Sequence, residues 1–259
     1  MRRLVVLAGL VLVGACTAPP TPSGGTSSSP SGGAPKIEVL ATTPHDTSAF
    51  TEGLELVDGV LYEGTGLEGE SQLRQVDPAT GDVKQKADLA PDLFGEGITV
   101  VGDRIWQLTY RNGLAILRDR KTFAEVKRAT YNGEGWGLCH DGERLVMSDG
   151  SAKLAFRDPT SFAKTGDVSV TRDGKPLEMI NELECVGGAV WANVWQSDDI
   201  VRIDPASGKV TATFDGSLLR PAGVPKGDVL NGIAAVPGTD EFLVTGKNWP
   251  SVFRVRFAE

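Results

Sequence analysis

A carboxylate stands between two glycines in FGEGITVVGDRIWQLTY (94–110), where Glu96 opens a strand-like apolar run. A recurring pattern puts Glu52, Trp136, Asn181 and Asn231 in the equivalent place. Glu52, Glu96, Trp136 and Asn181 each lie nine residues before the next strand-like run, and Asn231 matches them once the longer PGTDE turn is allowed for. Core slots are normally aliphatic, because a buried carboxylate or amide carries a desolvation cost unless it is partnered or used. A second recurring slot, at the end of that next run, holds Gly66, Tyr110, Gly150, Trp195 and Lys247. A carboxyl group can take and return a proton, and an ammonium can counter charge growing on an oxygen. An amide both donates and accepts hydrogen bonds, and tryptophans exclude water. The set makes a polar ring with one aromatic wall, and an enzyme built on it must work mainly with carboxylates, amides, hydroxyls or Lys; Glu52, Glu96, Trp136, Asn181, Trp195, Asn231 and Lys247 are its candidate site residues.

The elements that position these residues repeat. One stretch recurs as FTEGLEL (50–56), GEGITVV (95–101), GWGLCHD (135–141), INELECV (180–186) and LNGIAAV (230–236). Each is followed by a turn and a second run: LYEGTG, IWQLTY, LVMSDG, VWANVW and FLVTGK. A third unit follows in step, and four copies then turn through DPATGDV, DRKTFAEV, DPTSFAKTGDV and DPASGKV, rich in residues that favour turns. Short β-rich runs repeating at this period predict an all-β fold, a five-bladed β-propeller of four-stranded blades. The competing architecture is a β-sandwich. IEVLATT (37–43) is expected to supply the outer strand of the last blade and close the ring. Trp106 and Trp191, on second strands, are read as packing residues.

MRRLVVLAGLVLVGAC places two arginines before a short apolar run ending in small residues and Cys16, the pattern of a bacterial lipoprotein signal. Residues 1–15 are read as the signal peptide, with Cys16 as the lipidated first residue of the mature chain and an ordinary secreted protein as the alternative. Residues 16–35, rich in Ser, Gly and Pro, have too few apolar side chains to bury and are read as a flexible tether. Residues 36–259 form the propeller domain. The expected location is the cell membrane, facing outside the cytoplasm.

A formal charge of −8 argues against a nucleic-acid surface. Only His45, His140, Cys139 and Cys185 remain as usual zinc ligands beyond Cys16, too few for a dedicated site. Cys139 and Cys185 fall one step apart in the repeat register, so two buried free thiols are expected, with a disulfide, open to an exported protein, as the alternative. His140, beside Asp141 and Gly142, reads as a turn residue. Ser148-Asp149-Gly150 invites nucleophilic-serine chemistry, but no histidine occupies a matching repeat position, and the segment reads as a strand end.

In one order along the domain, PHDTSAFTEGL, TGLEGESQLR, FGEG, GWGL, MSDGS, NELE, ANVWQSDDI, LNGIA and VTGKNWP resemble the plant and bacterial type of glutaminyl-peptide cyclotransferase, a five-bladed propeller family. The resemblance implies that Glu96 is the acid/base and that Trp136, Asn181, Trp195 and Lys247 line the pocket; on that footing Glu96 and Lys247 are read as catalytic, and Glu52, Trp136, Asn181, Trp195 and Asn231 as substrate-binding. The family commonly reads FTQG where this chain reads Phe50-Thr51-Glu52-Gly53, so an amide contact becomes a carboxylate here.

The implied reaction closes an N-terminal glutamine of a peptide or protein onto its own α-amine, giving pyroglutamate and ammonia. It needs no cofactor, although the propeller leaves room for a structural calcium ion. The expected protein is a monomer. Two readings compete. Glu52, Glu96, Asn181 and Asn231 would make an all-oxygen ring for Ca²⁺ in a metal-dependent propeller hydrolase, and a propeller can also serve as a non-catalytic binding module.

Overall fold

The computed structural model describes residues 35–259. Cys16, the signal segment and most of the tether lie outside the described residues. Four blades are consecutive antiparallel meanders. Blade one runs Thr51–Val57, Val60–Thr65, Gln72–Val76 and Val83–Asp88. Blade two runs Gly95–Val101, Arg104–Thr109, Leu114–Asp119 and Glu125–Thr130. Blade three comprises Leu138–His140, Leu145–Met147, Lys153–Arg157 and Lys164–Ser169. Blade four comprises Ile180–Val186, Ala189–Val194, Asp199–Ile203 and Val210–Asp215. The fifth blade takes Leu230–Ala235, Glu241–Gly246 and Ser251–Ala258 from the C-terminal end of the chain and Lys36–Pro44 from the N-terminal end.

The closure expected from IEVLATT is therefore present, with Lys36 opposite Ala258 and Pro44 opposite Ser251. His45, just beyond that strand, fixes the joint. Its ring nitrogens contact the Trp249 carbonyl at 2.8 Å and Glu63 Oε1 at 2.9 Å, tying blade five to blade one. In four blades the last turn is an aspartate turn. Asp77, Asp119 and Asp158 each accept from two backbone N–H groups, and Asp204 accepts from that of Ala206.

The blades pack face to face through aromatic clusters. Trp106 lies 4.8 Å from Phe162, and Trp191 lies 4.7 Å from Phe257, centroid to centroid, so both tryptophans are packing residues as expected. The repeats gave no sign of the small hairpin Thr171–Arg172/Lys175–Pro176. Nor is His140 in a turn. It ends the inner strand of blade three, and the turn is made by Asp141, which accepts from Glu143 N and Arg144 N.

The channel-lining strands share one irregularity. Thr51 pairs with Thr65 but Gly53 with Gly64; Gly95 pairs with Thr109 but Ile98 with Gln107. The same slip falls between Ile180 and Leu183 and between Leu230 and Ile233. In each case the inner strand carries one extra residue beside the ring position, a β-bulge that re-aims the side chain there. Gly97, next to Glu96, is where blades two and three touch. Its N–H donates to Trp136 O at 2.8 Å, and a Cβ would stand 2.5 Å from that oxygen, so only glycine fits.

Further along the channel Glu182 replaces the glycine that follows the ring residue in other blades. Its carboxyl accepts from Leu54 N and Ile233 N, joining blade four to blades one and five. Burial pushes it well above the usual carboxylate range. Cys139 and Cys185 form a disulfide, contrary to the free thiols expected. The inner strands of blades three and four pass with those Cα atoms only 5.4 Å apart, so one step of register is no obstacle. Because the bond closes a loop spanning 46 residues, replacing both cysteines by alanine should destabilise the domain by about 3–4 kcal/mol. Denaturant unfolding of the oxidised protein and the double variant checks this, and equal midpoints would refute it.

Candidate active site

At one mouth of the channel the bulged positions converge on a cavity of about 210 Å³. It is lined by Glu52, Glu96, Trp136, Asn181, Trp195 and Lys247, six of the seven residues expected, together with Phe50, Phe94, Tyr110 and Gly227. Asn231, the seventh, does not reach the cavity surface. It is fully buried behind Glu52, where its Nδ2 donates to Thr51 O at 2.9 Å and to Glu52 Oε2 at 3.2 Å. Its place is to hold Glu52, because the bulge of blade five turns the amide toward the neighbouring strand.

Lys247 is 6% exposed and its ammonium meets Glu52 Oε1 at 2.6 Å, so it is a buried, paired cation rather than a rim lysine. The same nitrogen stands 4.4 Å from the centre of the Phe50 ring. Burial pushes the Glu52 carboxyl above its ordinary value, while Lys247 pulls it back. Glu96, beside the pair, is raised well above the carboxylate range, first by burial and then by the charge of Glu52, with Lys247 opposing. Its Oε2 is buried and receives no N–H or O–H donor, and the Glu96 and Glu52 carboxyls stand close enough to share a hydrogen bond when Glu96 carries a proton. Glu96 lines the cavity, and a buried carboxyl oxygen without a donor at its edge is a candidate to meet a ligand.

Around these polar groups runs an aromatic collar: Phe50 to Phe94 at 6.2 Å, Phe94 to Tyr110 at 5.6 Å, Tyr110 to Trp136 at 6.5 Å and Trp136 to Trp195 at 5.5 Å. The second recurring slot makes room for it. A Cβ on Gly66 would lie 2.4 Å from Phe94, and one on Gly150, at φ 78°, would lie 2.6 Å from Trp136. Trp136 is oriented by Glu134, whose Oε2 accepts from the indole N–H at 3.0 Å. Phe50, Phe94 and Glu134 were missed in the sequence. All three stand two residues before a ring position, so the repeat alignment carried that signal. Asn181 presents its amide to the cavity, while its backbone oxygen accepts from Ser148 Oγ at 2.6 Å. Ser148, fully buried and bonded also to Gly137 N, is a structural residue.

The oxygen ring imagined for calcium does not fit the ion. Glu52 already holds an ammonium, and Asn231 points its N–H donor, not its carbonyl, at that carboxylate. Among the described residues no group of three or more His, Cys, Asp or Glu side chains is gathered as for a metal.

Comparison with known proteins agrees with the geometry. A sequence profile described as glutamine cyclotransferase matches residues 10–257. A glutaminyl-peptide cyclotransferase of Arabidopsis thaliana is 37% identical over 230 residues, covering 86% of this chain and 72% of that protein. The chain belongs to the glutamine cyclotransferase family. The crystal structure of Myxococcus xanthus glutaminyl cyclase superposes with a TM-score of 0.82 at 38% identity, covering 86% of this chain and 97% of the other.

Within this family pocket, Glu52 tunes Glu96. In Glu52→Gln the negative charge that raises Glu96 is removed and Lys247 loses the partner that neutralises it, and both changes lower the Glu96 pKa. The Glu96 carboxyl, followed by 13C NMR, should therefore titrate at lower pH in the variant, and an unmoved titration would show that the two carboxyls are not coupled.

Proposed function

We propose that the pocket converts an N-terminal glutamine of peptides and proteins to pyroglutamate with release of ammonia, and that Glu96 moves the protons. The observation that carries this is the buried Glu96 carboxyl, one oxygen orphaned, at the floor of an aromatic collar and beside a lysine–carboxylate pair.

In the reaction the α-nitrogen forms a bond to the γ-carboxamide carbon, and the bond from that carbon to the amide nitrogen breaks. The nucleophile and electrophile share one residue, so the site chiefly has to hold the side chain folded back upon the amine. The α-amine loses a proton to Glu96 as the bond forms, and Glu96 returns it to the departing nitrogen, which leaves as ammonia rather than as an amide anion. A carboxyl raised above the usual carboxylate range is a stronger base when ionised and an available acid when protonated. The Lys247 ammonium has three donors; one is committed to Glu52, leaving others for the carboxamide oxygen as it gains negative charge. The free amide of Asn181 anchors the amine or its carbonyl neighbour. Trp136 and Trp195, nearly perpendicular at 84°, clamp the methylenes and keep water out.

The chemistry requires no cofactor, and the active unit is one propeller. Export and anchoring through a lipid on Cys16 extend this reading to the N-terminal segment, supported by the residues around that cysteine. A lipidated Cys16 would appear as a diacylated or triacylated N-terminus in the intact mass of membrane-extracted protein, and an unmodified or absent Cys16 would refute the anchor.

The central test is incubation of the mature protein with a Gln-initiated peptide, followed by mass spectrometry for loss of one ammonia. Wild type should turn the peptide over with or without EDTA, and Glu96→Gln should lower kcat by about 10²–10⁴-fold. Loss of wild-type activity in EDTA would favour the metal-dependent hydrolase, and a fully active Glu96→Gln would remove Glu96 from the mechanism.

A further inference from the structure

The catalytic cavity, at about 210 Å³, is smaller than the roughly 300 Å³ from which sites for drug-sized ligands begin, and has room for about one residue. The remainder of a peptide must leave through the mouth. Next to it lies a second cavity of about 300 Å³ that shares Trp195 and Gly227 with the first. Its walls come from two segments. One is the turn after the second strand of blade four, where Gln196 holds a left-handed φ of 63° and is exposed. The other is the loop leading into blade five, including Arg220 and Lys226.

This loop is held in place. Arg220 pairs with Asp198 at 3.0 Å and donates to Asp228 O at 3.1 Å, and the Trp249 indole donates to the same oxygen at 2.8 Å. The charges around the two cavities then separate. Lys247 is neutralised by Glu52 and Arg220 by Asp198. Lys226, exposed on the same wall, enters no ion pair among the described residues. The second cavity therefore presents one uncompensated positive charge beside an exposed amide, at the exit from a site that holds a peptide's first residue.

We propose that this groove binds the residues following the N-terminal glutamine and that Lys226 selects peptides carrying a carboxylate there, either an acidic side chain or, in a very short peptide, the C-terminus. The proposal rests on the cyclotransferase reading. A solvated lysine–carboxylate contact gives a modest preference, about two- to fivefold in kcat/KM at low ionic strength, which salt near 1 M should erase.

The test compares matched peptides with the full-length protein: Gln-Asp-Ala-amide and Gln-Ala-Asp-amide against their Asn counterparts, and Gln-Ala with a free against an amidated C-terminus. Wild type should prefer the carboxylate-bearing member of at least one pair, and which pair responds identifies the side chain or the terminus as its source. Lys226→Gln should bring that ratio to about one, and Lys226→Glu should invert it. A ratio of one for every pair in wild type, or a preference that survives Lys226→Glu, overturns the groove's role while leaving the cyclotransferase reading intact. Absence of turnover with every peptide overturns that reading and the groove with it.

Discussion

Four of the five inner strands carry one residue more than the strand beside them, always at the same height in the channel. In a regular strand the side chain there would follow the alternation and point into a blade interface. The extra residue breaks the alternation, and Glu52, Glu96, Asn181 and Asn231 turn toward the axis or a neighbouring inner strand. The glycines that flank these positions follow from the same geometry, since inner strands converging on the axis bring backbone against backbone, as at Gly97 and Trp136. Glu96 stands between glycines because it is the displaced residue of a bulge at the narrowest part of a converging ring.

Once the carboxyl is there, its surroundings decide its chemistry. A lone buried glutamate would hold its proton and do little else. Glu52 and Lys247 form an almost solvent-free pair next to it, which supplies charge of both signs: Glu52 raises the Glu96 pKa further and Lys247 opposes it. The pair is itself expensive to break, because removing one member strands the other in a dry site at a cost of about 3–5 kcal/mol. Asn231 and the Phe50 ring fix its two ends. The aromatic collar lowers the local dielectric, which strengthens each of these interactions.

Blade number, ring closure and most of the pocket were legible in the sequence because each depends on a repeated position, and a repeat can be aligned to itself. Glu96, Trp136 and Asn181 emerged from one slot, Trp195 and Lys247 from another. What escaped depends on relations between blades that no single repeat encodes. The disulfide joins Cys139 to Cys185 across adjacent inner strands, and their spacing depends on how blades converge rather than on register. Asn231 shares the slot of Glu96 but not its exposure, since the bulge of blade five faces Glu52. The hairpin at 171–176 belongs to one blade only, and therefore has no copies to reveal it.

The fifth blade draws its outermost strand from Lys36–Pro44 and its other three from the last stretch of the chain. Glu96 leaves the ribosome early, while Lys247 and the strand that pairs with Lys36–Pro44 come last. A growing chain thus carries the buried Glu96 carboxyl long before its electrostatic partner, and the first strand stays without its ladder until synthesis is complete. The pocket is in this way a report on the integrity of the propeller: a chain cut short at either end of it would lose the ring and, with it, the Glu52–Lys247 pair beside Glu96.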